Sequence, residues 1–172
     1  MCLHYSIGDT VKKAAKNIVC YKIVESIYNI NDEKEKRIVT PFIGMTIPSE
    51  IIDGKQPLLP DSKRKRKNEF FNTISEGYIH VYGNLDEAEE DLNTYYKDFT
   101  RHETDTVHDA VVGLESFMLY KCVIPAGTLY WKGVTDWDEF STYAAEKIVF
   151  KNLLYTVKDQ IVIYNISGNT HK

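Results

Sequence analysis

The chain has no stretch approaching the roughly 18 uninterrupted apolar residues that a membrane-spanning helix needs, and its start, Met1-Cys2-Leu3-His4-Tyr5, lacks the basic-then-apolar pattern of a secretion leader. These two absences predict a cytosolic protein. There is no Gly-x-x-x-x-Gly-Lys phosphate loop, no Gly-x-Gly-x-x-Gly turn and no Gly-x-Ser-x-Gly elbow. Nucleotide hydrolysis, dinucleotide redox chemistry and ordinary serine-esterase chemistry therefore have no carrier motif. Cysteine is scarce: Cys2, Cys20 and Cys122 are odd in number and have no Cys-x-x-Cys spacing, so neither a disulfide framework nor a zinc site is indicated. Cys20 and Cys122 lie inside apolar strand patterns and read as buried thiols.

What is present suits one globular domain spanning residues 1–172, with 43% hydrophobic and 27% charged residues. Tyrosine is abundant, at 12 residues, and it favours both sheets and binding surfaces. The net charge of −4 argues against general nucleic-acid affinity. Against that background stands one basic run, Lys63-Arg64-Lys65-Arg66-Lys67, preceded by Pro57, Pro60, Asp61 and Ser62. It reads as a mobile, solvated loop within residues 54–69, with binding of a phosphate-rich partner or a nuclear-import-like signal as the other readings.

The apolar pattern alternates with turn signals and predicts an α+β fold in which strands dominate an antiparallel or mixed sheet. Asp9 to Lys16 suggests a short helix, and Ile18–Ile30 with Arg37–Ile43 a hairpin across a charged loop. Gly44 to Asn68 shows no sustained period. Glu76 to Tyr82 alternates as a strand, and Gly83-Asn84 caps a helix from about Leu85 to Tyr96. Lys97 to Ala110 reads as a polar loop. Five strands are expected after it: Val111–Ile124, Thr128–Lys132, Lys147–Phe150, Leu153–Val157 and Ile161–Ile166.

Several groups of side chains could carry chemistry. Trp131, Trp137, Tyr130, Tyr143 and Phe140 gather around Lys132 in what should be a loop, and aromatic stacking plus a lysine is the chemistry that holds a base and a phosphate. The same rings could instead cap the sheet's apolar face. His80 reads either as a ligand contact or as a strand residue satisfied by a backbone carbonyl. Lys22 and Lys121 fall in strands where a core should be, so at least one is expected to point into a pocket. His102 and His108, with Glu103, Asp105 and Asp109, have metal-compatible types without a clamp spacing and read as a hydrated loop. Removal of Met1 would make Cys2 an N-terminal nucleophile whose own amine, with a pKa of about 8, could serve as base.

The order of short motifs resembles a group of small, uncharacterised proteins of bacteriophages and gut bacteria. The matching pieces are Tyr21-Lys22, Pro41-Phe42-Ile43-Gly44, Gly77-Tyr78-Ile79-His80, Leu85 to Leu92, Cys122-Val123-Ile124-Pro125-Ala126-Gly127 and Ala144-Ala145-Glu146-Lys147-Ile148. The resemblance implies a phage or mobile-element origin. More distantly, the C-terminal half resembles the ADP-ribosyltransferase fold, in which an "Ile-Pro-x-Gly-Thr" turn precedes a strand opening with a catalytic glutamate. That resemblance implies Glu146 as the residue that holds the nicotinamide ribose of NAD, with His80 and Tyr143 gripping the nucleotide. The chain departs from the pattern in offering Tyr21-Lys22 without an arginine, and Tyr78, His80 and Tyr82 in place of Ser-Thr-Ser.

The leading expectation is a non-catalytic phage-type binder in the host cytoplasm, with no resident cofactor. It would hold a nucleotide-like or other anionic ligand, or a host protein such as a defence factor, through Tyr78, His80, Trp131, Lys132, Tyr143 and Glu146. An NAD-dependent ADP-ribosyltransferase with Glu146 catalytic, and a Cys2 amidohydrolase, are the alternatives. No metal site is expected.

Overall fold

The computed structural model describes residues 3–4, 11–29, 31–41, 45–68, 70, 73–75, 77–99, 104–107, 110–135, 140–158 and 161–165. In chain order its strands are β1 (Leu3–His4), β2 (Lys12–Lys13), β3 (Ile18–Asn29), β4 (Asp32–Val39), β5 (Lys67–Asn68), β6 (Thr73–Ile74), β7 (Ile79–Tyr82), β8 (Thr104–Val107), β9 (Ala110–Ile124), β10 (Leu129–Thr135), β11 (Ser141–Ala145), β12 (Val149–Lys158) and β13 (Ile161–Tyr164). The helices are α1 (Ser49–Ile52) and α2 (Leu85–Phe99). The expectation of a strand-dominated, mainly antiparallel α+β architecture is met.

The spine is the pairing of β3 with β9, which runs from Ile18↔Ile124 to Asn29↔Val112. Both strands are rich in β-branched and aromatic residues that suit a pleated, half-buried surface. From the spine the sheet continues in the order β13-β12-β9-β3-β7-β11-β10-β1-β6-β5, with β2 on β10, β4 on β3 and β8 on β9. On one side, β3 pairs with β7 at Tyr21↔Tyr82 and with β4 from Glu25↔Val39 onward. Between these two partners the edge of β3 forks.

Lys22 sits at that fork. As a residue it is half-buried, its amine is enclosed, and Nζ donates a 2.9 Å hydrogen bond to the His80 carbonyl of β7. The side chain thus supplies a donor where no backbone partner is aligned, which is what a buried carbonyl requires. Enclosure lowers the Lys22 pKa to about 8, opposed by the neighbouring Cys122 and Cys20. Those thiols lie directly opposite each other in register, fully buried and unbridged. Burial pushes Cys20 up to about 12 and Cys122 well above its usual range. On the far side of the spine, Glu115 is the extra residue between Ser26↔Ser116 and Ile27↔Leu114. The bulge turns its carboxylate to Ser26 Oγ at 3.0 Å, Lys36 at 2.8 Å and Lys158 at 3.5 Å. The Lys36 hydrogen bond is the main reason its carboxyl is held below the ordinary range.

Two apolar layers flank the sheet. One gathers Cys20, Val24, Ile79, Val81, Cys122, Ile124, Ala145 and Phe150 and is covered by Ile47, Leu58 and the half-buried Ile51 and Ile52 of α1. The other gathers Ile23, Tyr82, Leu119, Phe140, Leu154 and Tyr155 under Leu85, Ala88 and Leu92 of α2. Asn84 caps α2 by accepting from the Glu87 backbone N–H at 3.2 Å, and Asp86 and Glu87 occupy its first turn, where the helix dipole favours negative charge. Its acidic residues also reach the sheet. Glu87 accepts from the Ser141 backbone N–H at 2.8 Å, Asp91 accepts from the Tyr82 hydroxyl, and Glu89 bonds Tyr155.

Several expectations need correction. Residues Lys12–Lys13 form a strand on β10, not part of a helix, because their partners Leu129 and Tyr130 supply a free edge. The charged stretch from Asp32 belongs to β4 itself, whose second side is bridged, among the described residues, only at its far end by Val39↔Thr46, and charge is tolerated along the rest of that edge. Within the supposed polar loop at 97–110, α2 extends to Phe99 and Thr104–Val107 pairs with β9. The two strands expected at 147–157 are one, β12, with register shifts between Phe150 and Asn152 and between Leu153 and Tyr155. The aromatic group expected in a loop is carried by strands instead: Tyr130, Trp131 and Lys132 lie in β10, which runs past the expected end at 132 to Thr135, and Tyr143 lies in β11.

Candidate functional site: an aromatic pair under a basic segment

Side chains alternate across a strand and registered partners share a face. The pairings Ala144↔His80 and Trp131↔Ala144 therefore put Trp131, Ala144 and His80 in one row across β10, β11 and β7. Tyr78, just before β7, joins this face: its ring meets Trp131 edge-on at 5.1 Å and 73°, with Ile74 of β6 completing a small apolar cluster. Trp131 is buried and Tyr78 half-buried.

The basic run covers this cluster. Asp61 N–H donates to the Gly77 carbonyl at 2.8 Å, Ser75 N–H to the Arg66 carbonyl at 2.8 Å, and the Ser75 hydroxyl to the Arg64 carbonyl at 2.8 Å. Gly77 has no Cβ, and any Cβ there would collide with the Arg64 backbone, so the close approach depends on glycine. Held this way, Lys65 Nζ lies 3.2 Å from both carboxylate oxygens of Glu146 and 5.1 Å from the centre of the Tyr78 ring. Lys67 Nζ lies 6.0 Å from the centre of the Trp131 ring. Both distances are in cation–π range. The segment expected as a mobile loop is thus tied to the sheet through Gly77, Tyr78, Trp131 and Glu146.

The remaining charges face outward. Lys63, Arg64 and Arg66 are exposed; among the described residues the Arg64 side chain makes a long 3.8 Å contact with Asp61, and Arg66 Nη1 donates to the Lys65 carbonyl at 2.9 Å. Among the described residues, five basic side chains stand against the carboxylates of Asp61 and Glu146, an excess of three positive charges. His80 is half-buried on the same face, and its Nε2 lies 2.8 Å from the Ser75 carbonyl, which requires that nitrogen to carry the proton. That contact is the carbonyl partner foreseen as one of its two readings.

Not all of the expected residues come together. Tyr78, His80, Trp131 and Glu146 share one face, whereas Lys132 pairs with Tyr143 and Tyr143 with Val81 on the other. There Tyr143 meets Tyr130 edge-on at 5.7 Å, and its hydroxyl pKa is raised, mainly by burial. Lys12, opposite Tyr130, extends that second face. Trp137, Cys2, His102 and His108 lie outside the described residues. The residues that sequence reasoning missed are Lys65 and Lys67 as cations seated on the rings. The signal available for them was their spacing of two, which puts both on one side of an extended segment while Arg64 and Arg66 take the other. No protein-family model, curated protein or solved structure matches this chain.

Proposed function

We propose that the chain is a non-catalytic binding protein that holds a nucleotide-like, phosphate-bearing ligand on the basic segment over Tyr78 and Trp131. The observation that carries this reading is the seating of Lys65 and Lys67 on the two rings while Lys63, Arg64 and Arg66 remain outward and in excess over carboxylate. Guanidinium groups take phosphate in a bidentate fashion, and a base would stack on Tyr78 by displacing Lys65 from the ring it covers. Trp131 serves as the platform beneath Tyr78 and Lys67, since it is itself buried. A phage-type origin would make the protein an agent acting in the host cytoplasm, through such a ligand or through a host protein that presents phosphate.

The ADP-ribosyltransferase reading, fold included, draws less support from this geometry. Glu146 is engaged by Lys65 instead of open to a ribose, and the alternation of β7 and β11 turns His80 and Tyr143 to opposite faces of the sheet. A thermal-shift panel of NAD, ADP-ribose and cyclic nucleotides, run beside an assay for nicotinamide release, separates the two. A binder gains stability by mass action without releasing nicotinamide, and Glu146→Gln leaves the shift intact or enlarges it by freeing Lys65. Nicotinamide release that disappears in Glu146→Gln would replace this reading with the transferase. Absence of both responses would sink the nucleotide ligand.

A further inference from the structure

Among the described residues five strands have another strand on only one side, β2, β4, β5, β8 and β13, although the C-terminal end of β4 is also bridged at Val39↔Thr46. An unpaired edge is a template for another strand, and proteins blunt it with charge. Four of the five follow that rule. Strand β2 is Lys12-Lys13, β4 carries Asp32, Glu33, Lys34, Glu35, Lys36 and Arg37, β5 contains Lys67, and β8 contains Asp105. The exception is β13, Ile161-Val162-Ile163-Tyr164, which has no charge, no proline and no glycine.

Its side chains are also bare. Ile161 is 62%, Val162 42%, Ile163 53% and Tyr164 66% exposed, so both faces of the strand stay partly open while its inner edge pairs with β12 from Tyr155↔Tyr164 to Lys158↔Ile161. Tyr164 is held edge-on to Tyr155 at 5.5 Å, and the Asn165 N–H and side-chain amide bond to Leu154 and Leu153 carbonyls at 2.9 and 2.8 Å. The strand is therefore fixed in place as a pre-formed edge.

We propose that β13 is a homodimer edge: a second copy of this chain adds its own β13 antiparallel across a two-fold axis and joins the two sheets. Charge decides the occupant. The edge has none, so two identical copies meet without like-charge repulsion, whereas pairing with any of the chain's other four edges would bury Lys, Asp or Glu beside Ile and Val. Sequence fits it as well. In the register that pairs all four residues, Ile161 faces Tyr164 of the second copy and Val162 faces Ile163, which are aromatic–aliphatic and β-branched pairs of the kind that stabilise antiparallel strands. A two-fold contact closes on itself and stops at two chains. A four-residue edge falls short of the ~1,200 Å² of a standard interface, so the dimer forms reversibly, in the micromolar range or above.

Sedimentation equilibrium over a concentration series, with amide hydrogen exchange followed in parallel, tests this. The expected result is a mass rising from 19.9 kDa toward twice that value as concentration increases, with exchange slowing at residues 161–164. Val162→Lys and Ile163→Lys, both at exposed positions, should keep the melting temperature and stay monomeric over the whole series. A wild-type chain that remains monomeric at every concentration overturns the proposal. So does a dimer that persists in both lysine variants, and so does protection of 161–164 that is already complete in dilute monomer, which would mean that the chain covers its own edge. None of these outcomes depends on the ligand site, which lies near the opposite end of the strand order.

Discussion

Replacing Lys22 with methionine should change how stability depends on pH more than it changes stability itself. In the folded chain the Lys22 amine has a pKa of about 8, against its ordinary 10.5, because it is enclosed beside Cys20, Cys122 and apolar side chains. Between those values the unfolded chain binds the proton more tightly than the folded one, so the cost of the enclosed ammonium is fully present well below pH 8 and is relieved as pH rises across that window. The gap corresponds to about 3 kcal/mol in full, of which about 1 kcal/mol is realised between pH 7 and 9. Methionine fills similar volume and removes the titration, but leaves the His80 carbonyl without its 2.9 Å donor, a loss of about 1–3 kcal/mol that offsets the relief of burying charge. The net change at pH 7 is therefore small, and the informative quantity is the difference between the two chains as pH is raised. Thermal unfolding at pH 7, 8 and 9 should show wild type gaining about 2–4 °C relative to Lys22→Met. Cys20 and Cys122, whose upward shifts lower stability from pH 9 upward, are present in both proteins and largely cancel. Parallel melting profiles would refute the enclosure of the amine at the fork between β3, β7 and β4.

Other substitutions probe separate parts of the structure. Gly77→Ala should push the Arg64–Lys65 backbone off the sheet and, in a Trp137→Phe background, make Trp131 more readily quenched by acrylamide; unchanged quenching would deny the close approach. Thr142→Val removes a buried hydroxyl that has no hydrogen-bond partner among the described residues and should raise stability by about 1 kcal/mol in denaturant titration, whereas destabilisation would show that the hydroxyl is satisfied. Tyr82→Phe takes a donor from buried Asp91 and should cost about 1–3 kcal/mol, with α2 losing hydrogen-exchange protection before the β3–β9 spine does; a neutral effect would mean that the Tyr82–Asp91 bond does not help to dock α2.

Those parts of the fold that are set by local chemistry were legible in the sequence. Asn84 marks the start of α2. Pro125-Ala126-Gly127-Thr128 closes a tight turn by a 3.1 Å bond from Thr128 N–H to the Pro125 carbonyl, and Gly127 takes the left-handed φ of +87° that such a turn requires at its third position. The long apolar strands β3 and β9 appeared where their β-branched residues lie. Short strands did not, because two residues such as Lys12-Lys13 carry no period and exist only through the neighbour they meet. At the site, the six expected residues are named by type, but type does not give the face: Tyr78, His80, Trp131 and Glu146 fall on one side of the sheet and Lys132 and Tyr143 on the other, because one residue along a strand reverses the face. The covering basic segment could not be read locally, since what anchors it is the absence of a side chain at Gly77, ten residues beyond Lys67.

If the outward cations of the basic segment hold a phosphate-bearing ligand, calorimetric titration of ADP-ribose should give saturable binding to wild type that weakens with salt. An Arg64→Glu/Arg66→Glu double variant, which lacks both guanidinium groups, should bind at least about tenfold more weakly. Equal affinity in the two proteins, or no heat of binding to either, would contradict that reading.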